Sequence, residues 1–131
     1  MRNRYFSIVP CALLLALIGT LAFAQTSTSR ITGTVTDPTG AVLPNARVTA
    51  KNEATGVALT AVTNSAGAYS FEAVQVGNYE IRVEAQGFRT YSSTQNVLTV
   101  GAPLVVDVGM QVGAATEVVS VQGSYEKLAT T

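Results

Sequence analysis

The carboxylates with catalytic spacing in this 131-residue chain are Glu80 and Glu84, four apart with Arg82 between them. Such a pair can serve as general acid and base, but only in a cleft that drives the two pKa values apart. The alternating apolar residues Tyr79, Ile81, Val83 and Ala85 instead place both carboxylates, with the arginine, on the wet face of a strand. That is a solvated surface. The chain has no histidine, which excludes a Ser/His or Cys/His nucleophile pair and a histidine-held metal. Asp37 and Glu53 lie near turns but form no acidic ligand series of the calcium-binding kind. The serines and threonines fall in turns or on alternating strands, where solvation and β-propensity account for them. No catalytic, cofactor-binding or metal-binding residue is assigned, and the chain is read as non-enzymatic.

Binding chemistry remains. There is no tryptophan, and Tyr69, Phe71 and Tyr79 fall on inward strand positions. Phe88, Tyr91 and Tyr125 are left as surface aromatics, and Phe88 and Tyr91 are the candidate contacts for a carbohydrate. A second candidate is the segment Thr116-Glu117-Val118-Val119-Ser120-Val121-Gln122-Gly123. Its valines favour an extended chain, and an unpaired extended segment can add as a strand to the sheet of a partner. Flanking Gly113-Ala114-Ala115 and Gly123-Ser124 would keep it mobile; the competing readings are a further strand folded onto the domain and a plain linker. The basic residues are scattered, not clustered, so no nucleic-acid surface is expected.

The elements that must carry these residues follow from the chain ends inward. Arg2 and Arg4 precede an apolar run from Tyr5 to Leu21, and Ala22-Phe23-Ala24 supplies small residues ahead of a cut. This predicts a secretory signal peptide over residues 1–24, helical in its apolar run, with a membrane anchor as the competing reading. Cys11, the single cysteine, stands at the start of that run and leaves with it. The exported part carries six basic and eight acidic residues, a net charge of two negative. Its fold must then rest on its core, without a disulfide. Gln25–Ser29 reads as a disordered lead-in, and 113–131 as a flexible tail.

Between them the period is two. Ile31–Val35, Ala46–Lys51, Val57–Thr63, Tyr69–Glu72, Tyr79–Ala85, Val97–Val100 and Leu104–Val112 read as strands, about seven in all. Asp37-Pro38-Thr39-Gly40, Asn64-Ser65-Ala66-Gly67 and Gly77-Asn78 are turn signals between them. Leu104–Val112 is the longest strand, with Leu104, Val106, Val108, Met110 and Val112 on one apolar face. Arg89–Thr94 is expected to bulge or to run along an edge. The short connections favour antiparallel pairing. The predicted fold is an all-β, Greek-key sandwich of the prealbumin or immunoglobulin type.

Ile31-Thr32-Gly33-Thr34-Val35-Thr36-Asp37 with Gly40, Ala46–Ala50, Asn64–Phe71, Gly77-Asn78-Tyr79 and Gly87-Phe88 resemble the carboxypeptidase regulatory-like domain, a transthyretin-like sandwich, over residues 30–112. Asn64 stands where that family often has Asp, and Val76 where a Pro often precedes the glycine; both departures are turn chemistry. Leader, domain and Val/Thr-rich tail together look like the start of Oar-like TonB-dependent outer-membrane receptors. In those receptors a plug and a barrel follow, and this sequence ends at Thr131 before either. The resemblance implies the periplasmic N-terminal extension of such a receptor, or a stand-alone copy. It acts as a spacer or interaction module for transport, meeting the outer membrane only through the barrel. Within it, Glu117, Val118, Val119, Ser120 and Val121 resemble a TonB box, which implies the TonB C-terminal domain as partner. The alternatives are a carbohydrate-binding module and a structural module of a surface protein.

Overall fold

Residues 26–123 are described by the structure, a computed structural model. The leader, Cys11 and Tyr125 lie outside them. The strands are β1 (Thr28–Thr36), β2 (Arg47–Asn52), β3 (Ala58–Val62), β4 (Ala68–Gln75), β5 (Gly77–Glu84), β6 (Thr90–Leu98), β7 (Leu104–Val105), β8 (Val108–Gly109) and β9 (Val118–Gln122). Five of them form one sheet in the order β3-β2-β5-β6-β9. The other sheet runs β4-β1-β7, with β8 also paired to β1. Among the described residues there is no helix, and the architecture is the expected all-β sandwich.

Alternation builds its core. Ile31 and Val35 of β1, Val48 and Ala50 of β2, and Ile81 and Val83 of β5 are fully buried. Ala46, Tyr69, Phe71, Val74, Tyr79, Leu98, Val106, Val108 and Met110 complete the cluster. Burial of each large side chain removes apolar area worth about 1.5–3 kcal/mol. β4 and β5 lie in different sheets, and Val76 alone separates them.

Two bulges break the period of two and keep the core continuous. In β4, Glu72 and Ala73 oppose the single Arg30 of β1, and Ala73 takes a φ of 52°. Phe71 and Val74, three apart, therefore both point inward. In β6, Thr94 and Gln95 oppose Glu80, Gln95 takes a φ of 58°, and Ser93 and Asn96 are both buried. An extra residue in one strand shifts the inward phase by one position.

The turns behave as their residue types dictate. Asp37 Oδ1 accepts from the Thr39 amide at 2.9 Å, the Thr39 hydroxyl at 2.6 Å and the Ala41 amide at 3.0 Å. The Thr39 hydroxyl, and then these amides, hold its carboxyl below the usual carboxylate range. Asn64 Oδ1 accepts from Ala66 and Ala68 in the same way, at 2.9 and 3.0 Å. A carboxamide oxygen thus serves this turn where the family often has a carboxylate.

Several expectations are corrected. Pairing is not wholly antiparallel: β7 and β8 run parallel to β1, and β9 runs parallel to β6. The lead-in is strand from Thr28 onward, its Thr28 and Ser29 paired with Gln75 and Val74. Leu104–Val112 is not one strand. The ladder is interrupted at Val106-Asp107, where the Asp107 carboxylate accepts from the Thr34 amide at 2.9 Å and the Val106 carbonyl accepts from the Tyr69 hydroxyl at 2.6 Å. Val112, expected inward, is 68% exposed. Of the two expectations for Arg89–Thr94, the edge is overturned, because β6 lies between β5 and β9, whereas a bulge does occur at its end, at Thr94 and Gln95.

Candidate partner-binding edge

The segment Glu117–Gln122 is where the sequence-based expectation and the structure meet. Val118, Val119, Ser120, Val121 and Gln122 form β9, in register with Thr90, Tyr91, Ser92, Ser93 and Thr94 of β6. The expected mobile tail is thus corrected over these residues, and the competing reading of a further folded strand describes them. Each end is fastened. At the start, the Thr90 amide donates to the Glu117 carbonyl at 2.9 Å, and the buried Thr90 hydroxyl donates to the Ala115 carbonyl at 2.8 Å. Arg89 Nε lies 2.6 Å from the Glu117 carboxylate, but its N–H is not aimed at that oxygen, so the contact is an ion pair without an aligned hydrogen bond. At the far end, the Gly123 amide donates to the Thr94 carbonyl, and the Gln122 carboxamide donates to that of Gln95 at 2.7 Å. The bulge residue Gln95 is itself held by Glu53, whose carboxylate accepts from its amide at 2.8 Å.

Sequence reasoning missed the residues that seat β9. Gly113 and Gly123 were legible only as flexible flanks, yet both are close approaches. A Cβ at Gly113 would lie 2.5 Å from Arg89 Cγ, and one at Gly123 2.5 Å from the Thr94 carbonyl oxygen. At Gly123 the neighbour is backbone, so only a residue without a Cβ lets the chain come this near, whereas at Gly113 it is the half-exposed Arg89 side chain. Arg89 and Gln95 carried no signal of their own, since each finds its partner on a segment distant in sequence.

β9 is the edge of its sheet. None of its residues belongs to the buried core, and Val118 and Val121 are 50% and 41% exposed. One side of its backbone pairs with β6, and the other side faces outward as an unpaired edge.

The carbohydrate candidates sit otherwise than expected. Phe88 is half-buried against the core and bridges to Val112. Tyr91 is also half-buried, and it lines a groove of about 470 Å³ with Ser93, Asn96, Asp107, Val121 and Gln122. The groove opens where β6 and β9 face the β7 side of the other sheet. Neither ring is a freely exposed platform.

The carboxylates with catalytic spacing stay apart. Glu84 pairs with Arg82 at 3.0 Å, and Glu80 accepts from the Ser92 hydroxyl at 2.9 Å on the outward face. Among the described residues no three metal-ligating side chains cluster. Burial, then the Asp107 carboxylate, pushes the Tyr69 phenol well above its ordinary value, so it remains a proton donor to Val106. Its role is structural.

Comparison with known proteins agrees with this geometry. No curated protein matches the chain. Among solved structures, catechol 1,2-dioxygenase from Acinetobacter sp. ADP1 superposes with a TM-score of 0.59 and 14% identity, over 77% of this chain and 60% of that one. A putative carbohydrate binding protein from Bacteroides uniformis gives 0.54 and 20%, over 64% of this chain and 41% of that one. The Bacillus anthracis TIE protein gives 0.53 and 14%, over 66% and 17%. At these identities the likeness is one of fold, and the chain spans less than two thirds of each of these proteins. The carboxypeptidase regulatory-like domain model matches residues 30–111, from β1 through β8. The chain therefore belongs to the carboxypeptidase regulatory-like domain family.

Proposed function

We propose that this domain is a non-catalytic interaction module, the periplasmic N-terminal extension of a TonB-dependent outer-membrane receptor, in which Glu117–Gln122 is the segment that reaches TonB. The observation that carries this reading is the position of β9. It is a valine-rich edge strand outside the core, paired with β6 on one side only, so its outward backbone side is open to another sheet and its removal leaves the packing beneath intact. The apolar leader of residues 1–24 supports export. The test is binding of the chain from Gln25 onward to the purified TonB C-terminal domain, before and after deletion of Glu117–Gln122. Binding is expected with the segment and is expected to vanish without it. Equal binding by both chains would refute the reading.

The groove beside Tyr91 favours a second reading, carbohydrate binding. It offers one aromatic wall beside the carboxylate of Asp107 and the carboxamide of Gln122, side-chain types that fix a polar ligand in an otherwise apolar site. Phe88 is not part of it. A glycan array should then show binding that Tyr91→Ala removes; an array blank for the unaltered chain rejects this alternative.

A further inference from the structure

We infer that β9 is a latch: the domain holds its own coupling segment closed on β6, and TonB must compete with β6 for it. This rests on the reading of Glu117–Gln122 as the coupling segment. The closed state is a built one. Gly113 lets Arg89 lie across the chain and reach Glu117, and Gly123 lets the far end settle on Thr94, so both glycines serve contact as well as freedom. Between these two ends the hold is thin. Five residues pair in parallel, which is slightly less stable per residue than antiparallel pairing. No β9 side chain enters the core, so the strand can open without unfolding the sandwich, as a low-stability local unit. Arg89 and Glu117 keep about half of their side-chain surface in water, which makes their pairing sensitive to salt.

Closure also limits what a partner can grasp. A closed β9 presents only the outward half of its backbone groups, whereas the open segment presents both halves. A partner that takes the open form sees an affinity reduced by the fraction of time the latch is open. The docked strand is then a standing inhibitor of its own recognition. Anything that pulls on the chain beyond Gly123, or repels Glu117 from Arg89, raises the affinity.

The test uses the chain from Gln25 onward, unaltered and as Arg89→Glu, which sets two carboxylates against each other and leaves residues 117–122 intact. Hydrogen exchange is read for residues 117–123 and for Thr90, and affinity is read with the TonB C-terminal domain. In Arg89→Glu, exchange at these residues should rise about tenfold while β2 and β5 keep their protection. The affinity for TonB should rise by about the same factor, as expected for a mostly closed latch. The double variant Arg89→Glu/Glu117→Arg should restore the slow exchange. Exchange at 117–123 that is already unprotected in the unaltered chain overturns the latch, because β9 is then not closed. Faster exchange with unchanged or weaker TonB binding also overturns it, while leaving the coupling reading intact. Failure of every form to bind TonB, with exchange as expected, instead overturns the coupling reading and the competition that rests on it.

Discussion

Gly33→Ala is expected to destabilise the domain by about 3–5 kcal/mol, a large share of the roughly 5–15 kcal/mol that holds an ordinary domain folded. Gly33 lies in β1 opposite Tyr69 of β4, and a methyl group there would overlap the Val106 carbonyl oxygen and come within 2.7 Å of the Tyr69 hydroxyl. Two costs combine. Overpacking a tight site usually costs about 1–3 kcal/mol. Displacing the Tyr69 hydroxyl also leaves it and the Val106 carbonyl, which meet at 2.6 Å, without partners, at about 1–3 kcal/mol. Neither atom is the end of a flexible side chain: one is backbone, and the other is pinned in the core. Urea unfolding followed by circular dichroism gives the value directly. A midpoint unchanged from the unaltered chain would show that the break between β7 and β8 does not depend on this approach.

Ile81→Ala is expected to cost about 3–4 kcal/mol, within the range for deleting most of a buried aliphatic side chain. Ile81 is fully buried in β5, paired with Ala50 of β2 on one side and Ser93 of β6 on the other. It sits in the middle of the five-stranded sheet, where β-sheet pairing on both sides keeps the backbone from collapsing into the void. The neighbouring Arg82→Ala serves as the control, because Arg82 is exposed and its pairing with Glu84 is a surface ion pair. That change should stay within about 0.5 kcal/mol. Equal losses for Ile81→Ala and Arg82→Ala in the same unfolding experiment would contradict the inward and outward faces assigned to β5.

How much was legible from residues alone differs from one element to the next. β5 was read correctly from Tyr79 to Glu84, with Ala85 falling just past its end, because every second residue is apolar and a slip by one would bury Glu80, Arg82 and Glu84. The turns at Asp37 and Asn64 were legible for a different reason: an Asx side chain followed by glycine makes its hydrogen bonds within four residues, and local chemistry decides local shape. β3 shows no such clean alternation, since an edge strand with nearly every residue exposed has no inward face to mark.

Beyond that the sequence has no voice. Whether Leu104–Val112 is one strand or two depends on Tyr69 and Thr34, which claim the Val106 carbonyl and the Asp107 carboxylate from across the chain. Whether the Val-rich tail floats or docks depends on Arg89, Thr90 and Thr94 meeting Glu117, Ala115 and Gly123. The bulges at Ala73 and Gln95 shift the inward phase to suit strands that lie elsewhere in the sequence. By itself, then, the sequence determined the class of fold, the faces of the central strands and the turns. Period and turn chemistry act over a few residues, so a linear reading contains them. Tertiary structure alone decided strand partners, their direction and the closing of β9, because each is settled by a contact between segments that only folding brings together.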